Sequence, residues 1–143
     1  MFIGEHSLSM DMKGRLAVPV KYRSLLNGGI VITRGLDKSL FAYTKPEWAK
    51  IAEKLSQLPL ATANSRAFSR LMLAGAWDAE MDKQGRVVIP DYLRKFAGLT
   101  RKVVIAGLYN RLEIWDEETW EAYKIGTERE STSIAEALGE LGV

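Results

Sequence analysis

Two short segments of this sequence place a carboxylate, a glycine and an arginine at the same spacing. The pattern Asp-x-x-Gly-Arg occupies residues 11–15 and returns 71 positions later, at residues 82–86. Aspartate can accept a hydrogen bond from the backbone two residues on, and glycine can adopt a positive φ, so the pattern predicts a tight turn. Arginine carries a planar set of donors that matches a phosphate, or the O6 and N7 atoms of guanine. The two segments therefore predict a pair of basic loops suited to nucleic acid.

The same residues also have a structural interpretation, in which each arginine only neutralises the aspartate of its own turn. A lysine in each loop, and the display of two such loops by one chain, favour nucleic-acid binding. The predicted DNA-binding residues are Lys13, Arg15, Lys83 and Arg86. Because a carboxylate repels phosphate, the other motif residues are expected to hold and orient the loops. These loop-orienting residues are Asp11, Gly14, Asp82 and Gly85.

A second pair of arginines also recurs. Arg23 and Arg94 lie on the polar side of a short predicted helix that follows each loop. Exposed arginines of this kind usually form solvated ion pairs, which is the first interpretation. Secondary contacts to DNA are the second interpretation.

The amino-acid composition excludes several classes of enzyme. With 0 Cys the chain has no thiolate nucleophile and no Cys-containing metal site, and its 1 His, His6, lacks a Ser-His-Asp arrangement. The best enzyme hypothesis is a carboxylate-dependent hydrolase with Asp11 and Asp82 facing each other across a twofold axis. An arginine four residues after each aspartate would lower its pKa and oppose general-acid chemistry. We therefore expect no catalytic residue, no metal, no cofactor and no small-molecule substrate.

The formal charge of +2 is too small by itself to indicate a nucleic-acid partner. Its distribution is uneven: residues 1–70 carry 11 basic and 5 acidic side chains, a net +6, whereas residues 71–143 carry 9 and 13, a net −4. The first residues lack the basic and apolar regions of a signal peptide, and no run approaches the roughly 18 apolar residues that span a bilayer. We expect a cytoplasmic protein with no membrane partner.

The two loops belong to a longer internal repeat. An offset of 71 aligns Met10 with Met81, and after one inserted residue an offset of 72 aligns Trp48 with Trp120. Each copy predicts a strand, the Asp-x-x-Gly-Arg turn, a second short strand, a short helix that begins at a proline, and a hairpin. In the first copy, Tyr22, Leu25 and Leu26 fall at i, i+3 and i+4, which predicts that they share one apolar face of the short helix. The predicted hairpins pair residues 30–33 with 40–43 and residues 103–106 with 112–115.

Helices are expected to follow and connect the copies. Thr44 and Glu47 have the spacing of a capping box, and Trp48, Ile51, Ala52 and Leu55 form an apolar stripe on the helix predicted to follow. Asp116 is predicted to cap the matching helix of the second copy. A connector helix is predicted at residues 62–73, and the polar segment 126–143 is predicted as a marginal helix. The expected boundaries are residues 5–47 for repeat 1, 48–75 for the connector, 76–119 for repeat 2 and 120–143 for the C-terminal helix and tail.

One copy of four short strands and a small helix cannot cover both faces of its own sheet. The two copies therefore need each other, and packing them across a pseudo-twofold axis would close a shared barrel. The predicted fold class is α+β and β-rich, with peripheral helices.

The doubled Asp-x-x-x-Arg motif, each copy followed by β-formers and a proline, in a chain that begins Met-Phe-x-Gly, resembles the MraZ family of bacterial transcriptional regulators. Each copy is similar to the swapped-hairpin half-barrel of AbrB and SpoVT DNA-binding domains, and the resemblance covers residues 1–125. The second loop departs from the first at Gln84, which aligns with Lys13, although Lys83 supplies a charge one position earlier.

The resemblance implies a sequence-specific DNA-binding regulator, expected to be a repressor, of the division and cell-wall gene cluster. It also implies that a ring-shaped homo-oligomer binds short direct repeats of double-stranded DNA in its own promoter, in association with the nucleoid. Two other classes stay open: an antitoxin-like or scaffolding ring that binds a protein partner through its tail, and the carboxylate-dependent hydrolase. Steep loss of affinity with rising salt separates a DNA binder from the enzyme.

Overall fold

The computed structural model describes residues 1–139. The first repeat and the connector contain β1 (Phe2–Ser9), β2 (Arg15–Ala17), α1 (Val20–Arg23), β3 (Ile30–Arg34), β4 (Leu40–Thr44), α2 (Lys45–Ser56), α3 (Ala63–Ser69) and a π-helical turn (Arg70–Ala74). The second repeat and the tail contain β5 (Trp77–Ala79), β6 (Arg86–Val88), α4 (Asp91–Ala97), β7 (Lys102–Tyr109), β8 (Leu112–Asp116), α5 (Glu117–Arg129) and α6 (Ser131–Leu138). The α+β, β-rich class and both hairpins are confirmed.

Strands of the two repeats alternate within one antiparallel sheet. Its order is β1-β7-β8-β4-β3-β5, and β2 pairs with β6 in a separate two-stranded ribbon. The first strand of each repeat therefore pairs with the third strand of the other, as in Phe2 opposite Tyr109 and Ala79 opposite Ile30. The large sheet ends at β1 and β5, so its hydrogen bonds within residues 1–139 do not close a barrel.

A pseudo-twofold axis passes through both sheets. In the ribbon Leu16 lies opposite Val87, and in the large sheet Phe41 lies opposite Glu113. The members of each pair are equivalent positions of the two repeats, 71 and 72 residues apart. The duplication in the sequence is therefore a near-symmetry of the fold.

The main core lies between the ribbon and the inner face of the large sheet. Leu16 and Val87 of the ribbon are 1% and 3% exposed. Residues at every second position of the strands complete this core, because successive side chains of a strand point to opposite faces. They include Ile30, Ile32, Leu40, Ala42, Val103, Ile105, Leu112 and Ile114.

Helices cover the outer face of the large sheet, on the side away from the ribbon. The predicted apolar stripe of α2, which includes Trp48 and Leu55, packs against Phe41 and Tyr43 of β4. In the second repeat Trp120 of α5 packs on Trp115 of β8, with ring centroids 5.3 Å apart. The two tryptophans of the helices are thus packing residues.

Three local predictions were wrong or incomplete. Helix α1 is a single turn, so the chain after it loses the helical period and Leu25 is 43% exposed instead of facing the core. Asp116 does not cap α5, because its Oδ1 accepts hydrogen bonds from Thr100, at 3.1 Å from N and 2.7 Å from Oγ1. The predicted connector helix is α3 followed by the π-helical turn, whose Met72 carbonyl accepts a 2.6 Å hydrogen bond from buried Thr33.

The helix ends otherwise follow the sequence. Thr44 caps α2 by accepting the N–H of Glu47 at 3.3 Å, as predicted. Helix α6 has no buried residue, and residues 140–143 of the predicted tail lie outside the described part of the chain. Among residues 1–139, no helix combines the length and the apolar character required to cross a bilayer.

Candidate nucleic-acid interface

The first loop, residues 11–15, folds around the carboxylate of Asp11. Its Oδ1 accepts hydrogen bonds from the backbone N–H groups of Lys13 and Arg15, both at 2.9 Å. Gly14 donates its N–H to the Asp11 carbonyl at 3.0 Å and has a φ of 79°. Glycine adopts this φ without the strain that a side chain would add. The aspartate and the glycine thus set the shape of the loop.

The second loop, residues 82–86, repeats this geometry. Asp82 Oδ1 accepts the N–H groups of Gln84 and Arg86, both at 2.9 Å, and Gly85 has a φ of 75°. The substitution of a lysine by Gln84 leaves the turn unchanged because only its backbone takes part. The two loops therefore differ in side-chain chemistry but not in backbone shape.

Each loop arginine is tied to its own aspartate through one nitrogen. Arg15 Nε lies 2.5 Å from Asp11 Oδ2, and Arg86 Nε lies 2.9 Å from Asp82 Oδ2. The arginine side chains remain 35% and 31% exposed. Within residues 1–139 their terminal guanidinium nitrogens have no hydrogen-bond partner. Each loop thus presents an oriented guanidinium whose outer donors are available to a ligand.

Hydrogen bonds hold the pKa of both loop aspartates below its usual range. The largest cause is the backbone N–H of Arg15 for Asp11 and that of Arg86 for Asp82. Donors aimed at a carboxylate stabilise its charged form, and the arginine side chains add to this effect. Both groups are therefore ionised at neutral pH, which suits ion pairing and opposes the general-acid role of the hydrolase hypothesis.

The two loops lie at opposite ends of the ribbon. Val18 donates its N–H to the Gly85 carbonyl at 2.9 Å, and Ile89 donates to the Gly14 carbonyl at 2.8 Å. Gly14 and Val18 are four residues apart along one strand, about 13 Å at 3.3 Å per residue. The structure therefore does not bring Asp11 and Asp82 together as a carboxylate dyad.

The ribbon has one exposed face that carries both arginines. Arg15 lies opposite Val88, and Ala17 lies opposite Arg86. Directly opposed side chains of an antiparallel pair share a face, and diagonal neighbours are roughly 7–8 Å apart. The central residue of each strand points into the core, so Arg15, Ala17, Arg86 and Val88 form the outer face. Two guanidinium groups thus sit diagonally on one narrow surface.

Arg23 and Arg94 have partners within the protein. Arg23 donates from Nε to the carbonyl of Val18 at 2.9 Å, and its guanidinium covers Gly85 of the other repeat. Arg94 covers Gly14 in the same way. The two arginines therefore hold the loops from behind, each from the opposite repeat. Sequence analysis missed this contact because it joins the two repeats.

Several exposed residues accompany the predicted site. Lys13 and Lys83 are exposed at the loops. Met12, at the tip of the first loop, is fully exposed. The only feature of the sequence that could have indicated its role is that it is an apolar residue within a polar turn. Arg101 lies beside the same loop because its carbonyl accepts the N–H of Met10 at 2.7 Å. Nothing in the sequence indicates this proximity, since it depends on strand exchange.

Comparisons with known proteins agree with one another on the family. A family model described as "MraZ protein, putative antitoxin-like" matches residues 1–71 and again residues 72–139. A relative named "Transcriptional regulator MraZ", from Halothermothrix orenii, is 46% identical over 143 residues, which are 100% of both chains. The solution structure of PHS018 from Pyrococcus horikoshii has a TM-score of 0.34 and 14% identity, covering 80% of this chain and 88% of that one. A likeness that weak says nothing about the fold.

Proposed function

This chain belongs to the MraZ family, and we propose that it is a transcriptional regulator, not an enzyme, that binds double-stranded DNA with the β2–β6 ribbon. The observation that carries this proposal is the outer face of the ribbon, where Arg15 and Arg86 lie diagonally, each fixed by its own aspartate. Because these side chains are already fixed before binding, they lose less conformational entropy when DNA binds.

The ribbon is a two-stranded antiparallel element that we propose enters the major groove of DNA. The major groove of B-DNA admits a two-stranded β-ribbon, and an arginine that donates two hydrogen bonds to guanine supplies about 1–3 kcal/mol of base discrimination. In our proposal Arg15 and Arg86 read bases, while Lys13 and Lys83 bind phosphates at the two ends. Phosphate contacts of this kind fix the position and orientation of a protein on the duplex.

We further propose that each repeat is a swapped-hairpin half-barrel, with β1 and β5 as the exchanged strands. Residues 5–47 and 76–119 would be the two DNA-binding repeats, residues 48–75 a helical connector, and residues 120–143 a C-terminal helix and tail. Support comes from the pairing of each first strand with the third strand of the other repeat.

One chain offers only two small loops, whereas specific DNA binding at physiological salt has a Kd of about 10 nM or tighter. A ring-shaped homo-oligomer on short direct repeats would make each later contact intramolecular and gain roughly 10²- to 10⁴-fold in affinity. We propose that such a ring binds repeats in its own promoter and represses the division and cell-wall gene cluster. The protein would then act in the cytoplasm, at the nucleoid.

The test is a gel-shift series with a duplex that covers the DNA directly upstream of the gene encoding this chain. Arg15→Ala and Arg86→Ala should each weaken binding by about tenfold or more. Arg129→Ala removes the same charge at the exposed end of α5, away from the ribbon, and should bind like the parent chain. Unchanged affinity in both loop variants, with unchanged melting temperature, would disprove the proposal.

A second candidate function is an antitoxin-like protein that binds another protein through its C-terminal helix. Helix α6 exposes Ile134 and Leu138, at 44% and 58%, and the family description contains the word antitoxin. A partner that co-purifies through residues 126–143, in a chain without preference for its upstream DNA, would favour this candidate over the regulator.

A further inference from the structure

Two grooves lie beside the loops at equivalent positions about the pseudo-twofold axis. The first groove, of about 540 Å³, is lined by residues 10–11 and 99–101, together with Met12 and Arg94. The second groove, of about 360 Å³, is lined by residues 81–82 and 27–29, together with Glu80. Residues 10–11 and 99–101 are equivalent to residues 81–82 and 27–29, whereas Met12 and Arg94 line only the first groove and Glu80 only the second.

The grooves differ in charge. Arg101 lines the first groove, where the other repeat has Gly29. Glu80 lines the second groove, and its equivalent beside the first groove is Ser9. Lys102 adds another cation beside the first groove, with its Nζ 3.3 Å from Ser9 Oγ. Lys45 also lies against Gly29 of the second groove, but its Nζ is ion-paired with Asp78 Oδ1 at 3.3 Å. The first end of the ribbon therefore carries cations without a carboxylate partner among residues 1–139, and the second end carries an extra carboxylate.

Arg101 has no structural task for its side chain. The residue is exposed, and its guanidinium has no ion pair or hydrogen bond among residues 1–139. Its carbonyl, by contrast, accepts the N–H of Met10, next to the β1–β7 pair of Ser9 and Lys102. The aspartate of the first groove, Asp11, is already paired with Arg15. A fixed backbone thus presents a cation that has no carboxylate partner among residues 1–139.

We infer that Arg101 and Lys102 bind DNA phosphates in the first groove, while Glu80 keeps the DNA backbone out of the second groove. The inference rests on the proposed DNA binding by the ribbon. Phosphates carry most of the electrostatic attraction of a duplex, and a carboxylate repels them. The two ends of the ribbon therefore contact DNA unequally, although their loops have the same backbone.

Unequal ends give the chain a direction on DNA. A protein with true twofold symmetry matches a palindromic site, because its halves make identical contacts. A ribbon whose first end holds more phosphates than its second end binds each site in a single orientation. Successive protomers that bind this way match sites repeated head to tail.

The first experiment measures binding to the upstream duplex, and to a duplex of unrelated sequence, over a range of salt concentrations. Arg101→Ala should weaken binding to both duplexes about three- to tenfold and reduce the salt slope by about 1, because one phosphate contact is lost. Arg101→Lys should restore most of the slope, since a lysine keeps the charge. Arg129→Ala, with the same charge loss at the end of α5, should change neither quantity.

The outcomes separate this inference from the proposed function. If Arg101→Ala binds like the parent chain while Arg15→Ala binds weakly, the groove assignment is wrong and DNA binding by the ribbon stands. If Arg101→Ala, Arg15→Ala and Arg86→Ala all bind like the parent chain, both the groove assignment and DNA binding by the ribbon are wrong. Equal losses in Arg101→Ala and Arg129→Ala would indicate a general charge effect and would also overturn the groove assignment.

Phosphate ethylation interference on the upstream duplex tests the orientation directly. Ethylated phosphates should block binding more strongly on one flank of each bound site than on the other, and Arg101→Ala should remove this excess interference selectively. A pattern with equal interference on both flanks would contradict unequal ends, whatever the affinities of the variants.

Discussion

Arg23 in the first repeat covers the backbone of Gly85 in the second so closely that a β-carbon at Gly85 would overlap its guanidinium. Gly85 also has a φ of 75°, which strains any other residue. Gly85→Ala should therefore lower the free energy of unfolding by about 2–3 kcal/mol, through backbone strain and displacement of Arg23 together. Urea denaturation measures this change.

Two other glycines supply matched controls for this prediction. Gly98 has a φ of 60° but nothing within 4 Å of its would-be β-carbon, so Gly98→Ala should cost only about 1 kcal/mol. Gly28 has neither a positive φ nor a close neighbour, so Gly28→Ala should be close to neutral. Equal effects at Gly98 and Gly85 would show that the contact with Arg23 contributes nothing.

Arg23 itself should matter for stability more than for DNA. Its Nε donates to the Val18 carbonyl at 2.9 Å, and loss of that hydrogen bond leaves a part-buried acceptor unpaired. Arg23→Ala should lower the free energy of unfolding by about 1–2 kcal/mol. At temperatures where the variant is folded, its DNA affinity should stay within about twofold of the parent chain. A large loss of affinity with full stability would instead support a direct DNA contact.

The contribution of Asp11 to the stability of the folded state should depend on pH. Its pKa is held below the usual range, chiefly by the backbone N–H of Arg15, so the charged form stabilises the folded state. That contribution is fully present above the unfolded pKa of about 4 and is lost as the pH falls through the lower folded value. The stability difference between the parent chain and Asp11→Asn should be constant from about pH 5 to 8 and shrink below about pH 4.

Urea denaturation at each pH checks this, and a difference that persists in strong acid would disprove it. Asp11→Ala provides a comparison with a separate cause. Asn can still accept the two backbone N–H groups, whereas Ala accepts none. Asp11→Ala should therefore remain less stable than Asp11→Asn at every pH.

Glu113 should be a stability residue on the pseudo-twofold axis. Its side chain is 11% exposed and accepts from Arg111 Nη2 at 2.9 Å and from Trp115 Nε1 at 3.1 Å. Glu113→Ala leaves both donors unpaired and should cost about 2–3 kcal/mol of unfolding free energy. Glu113→Gln keeps an acceptor for Trp115 and should cost less, while exposed Glu128→Ala should be nearly neutral. Chemical denaturation with tryptophan fluorescence measures all three.

Local sequence patterns predicted most of the elements but not their partners. The capping spacing at Thr44 and the stripe containing Trp48 predicted α2 because both depend on residues close in the chain. Asp116 also precedes the first residue of its helix, as a capping residue does, but its carboxylate accepts hydrogen bonds from Thr100 of a neighbouring loop and makes none to the helix. Strand exchange was implied only by the resemblance to swapped-hairpin domains, since a strand's alternation does not specify which strand lies beside it.

In the candidate site, too, local sequence predicted the turns but not the contacts between the two repeats. The turns around Asp11 and Asp82 followed from five-residue patterns, because the hydrogen bonds that the two aspartates accept come from within each pattern. The position of Arg101 did not, because it lies in the acidic half of the sequence and reaches the first loop through the β1–β7 pairing. The charge difference between sequence halves is therefore a poor guide to the charge difference between the ends of the ribbon.

Strand exchange also sets an order of events during translation. Strand β1 is made first among the elements, but the residue opposite Phe2 is Tyr109. At roughly 5–20 residues per second, the ribosome takes several seconds or more to deliver that partner. Strand β6, which completes the ribbon, also belongs to the later half. A nascent chain released within the connector lacks β6, and with it the ribbon that we propose binds DNA.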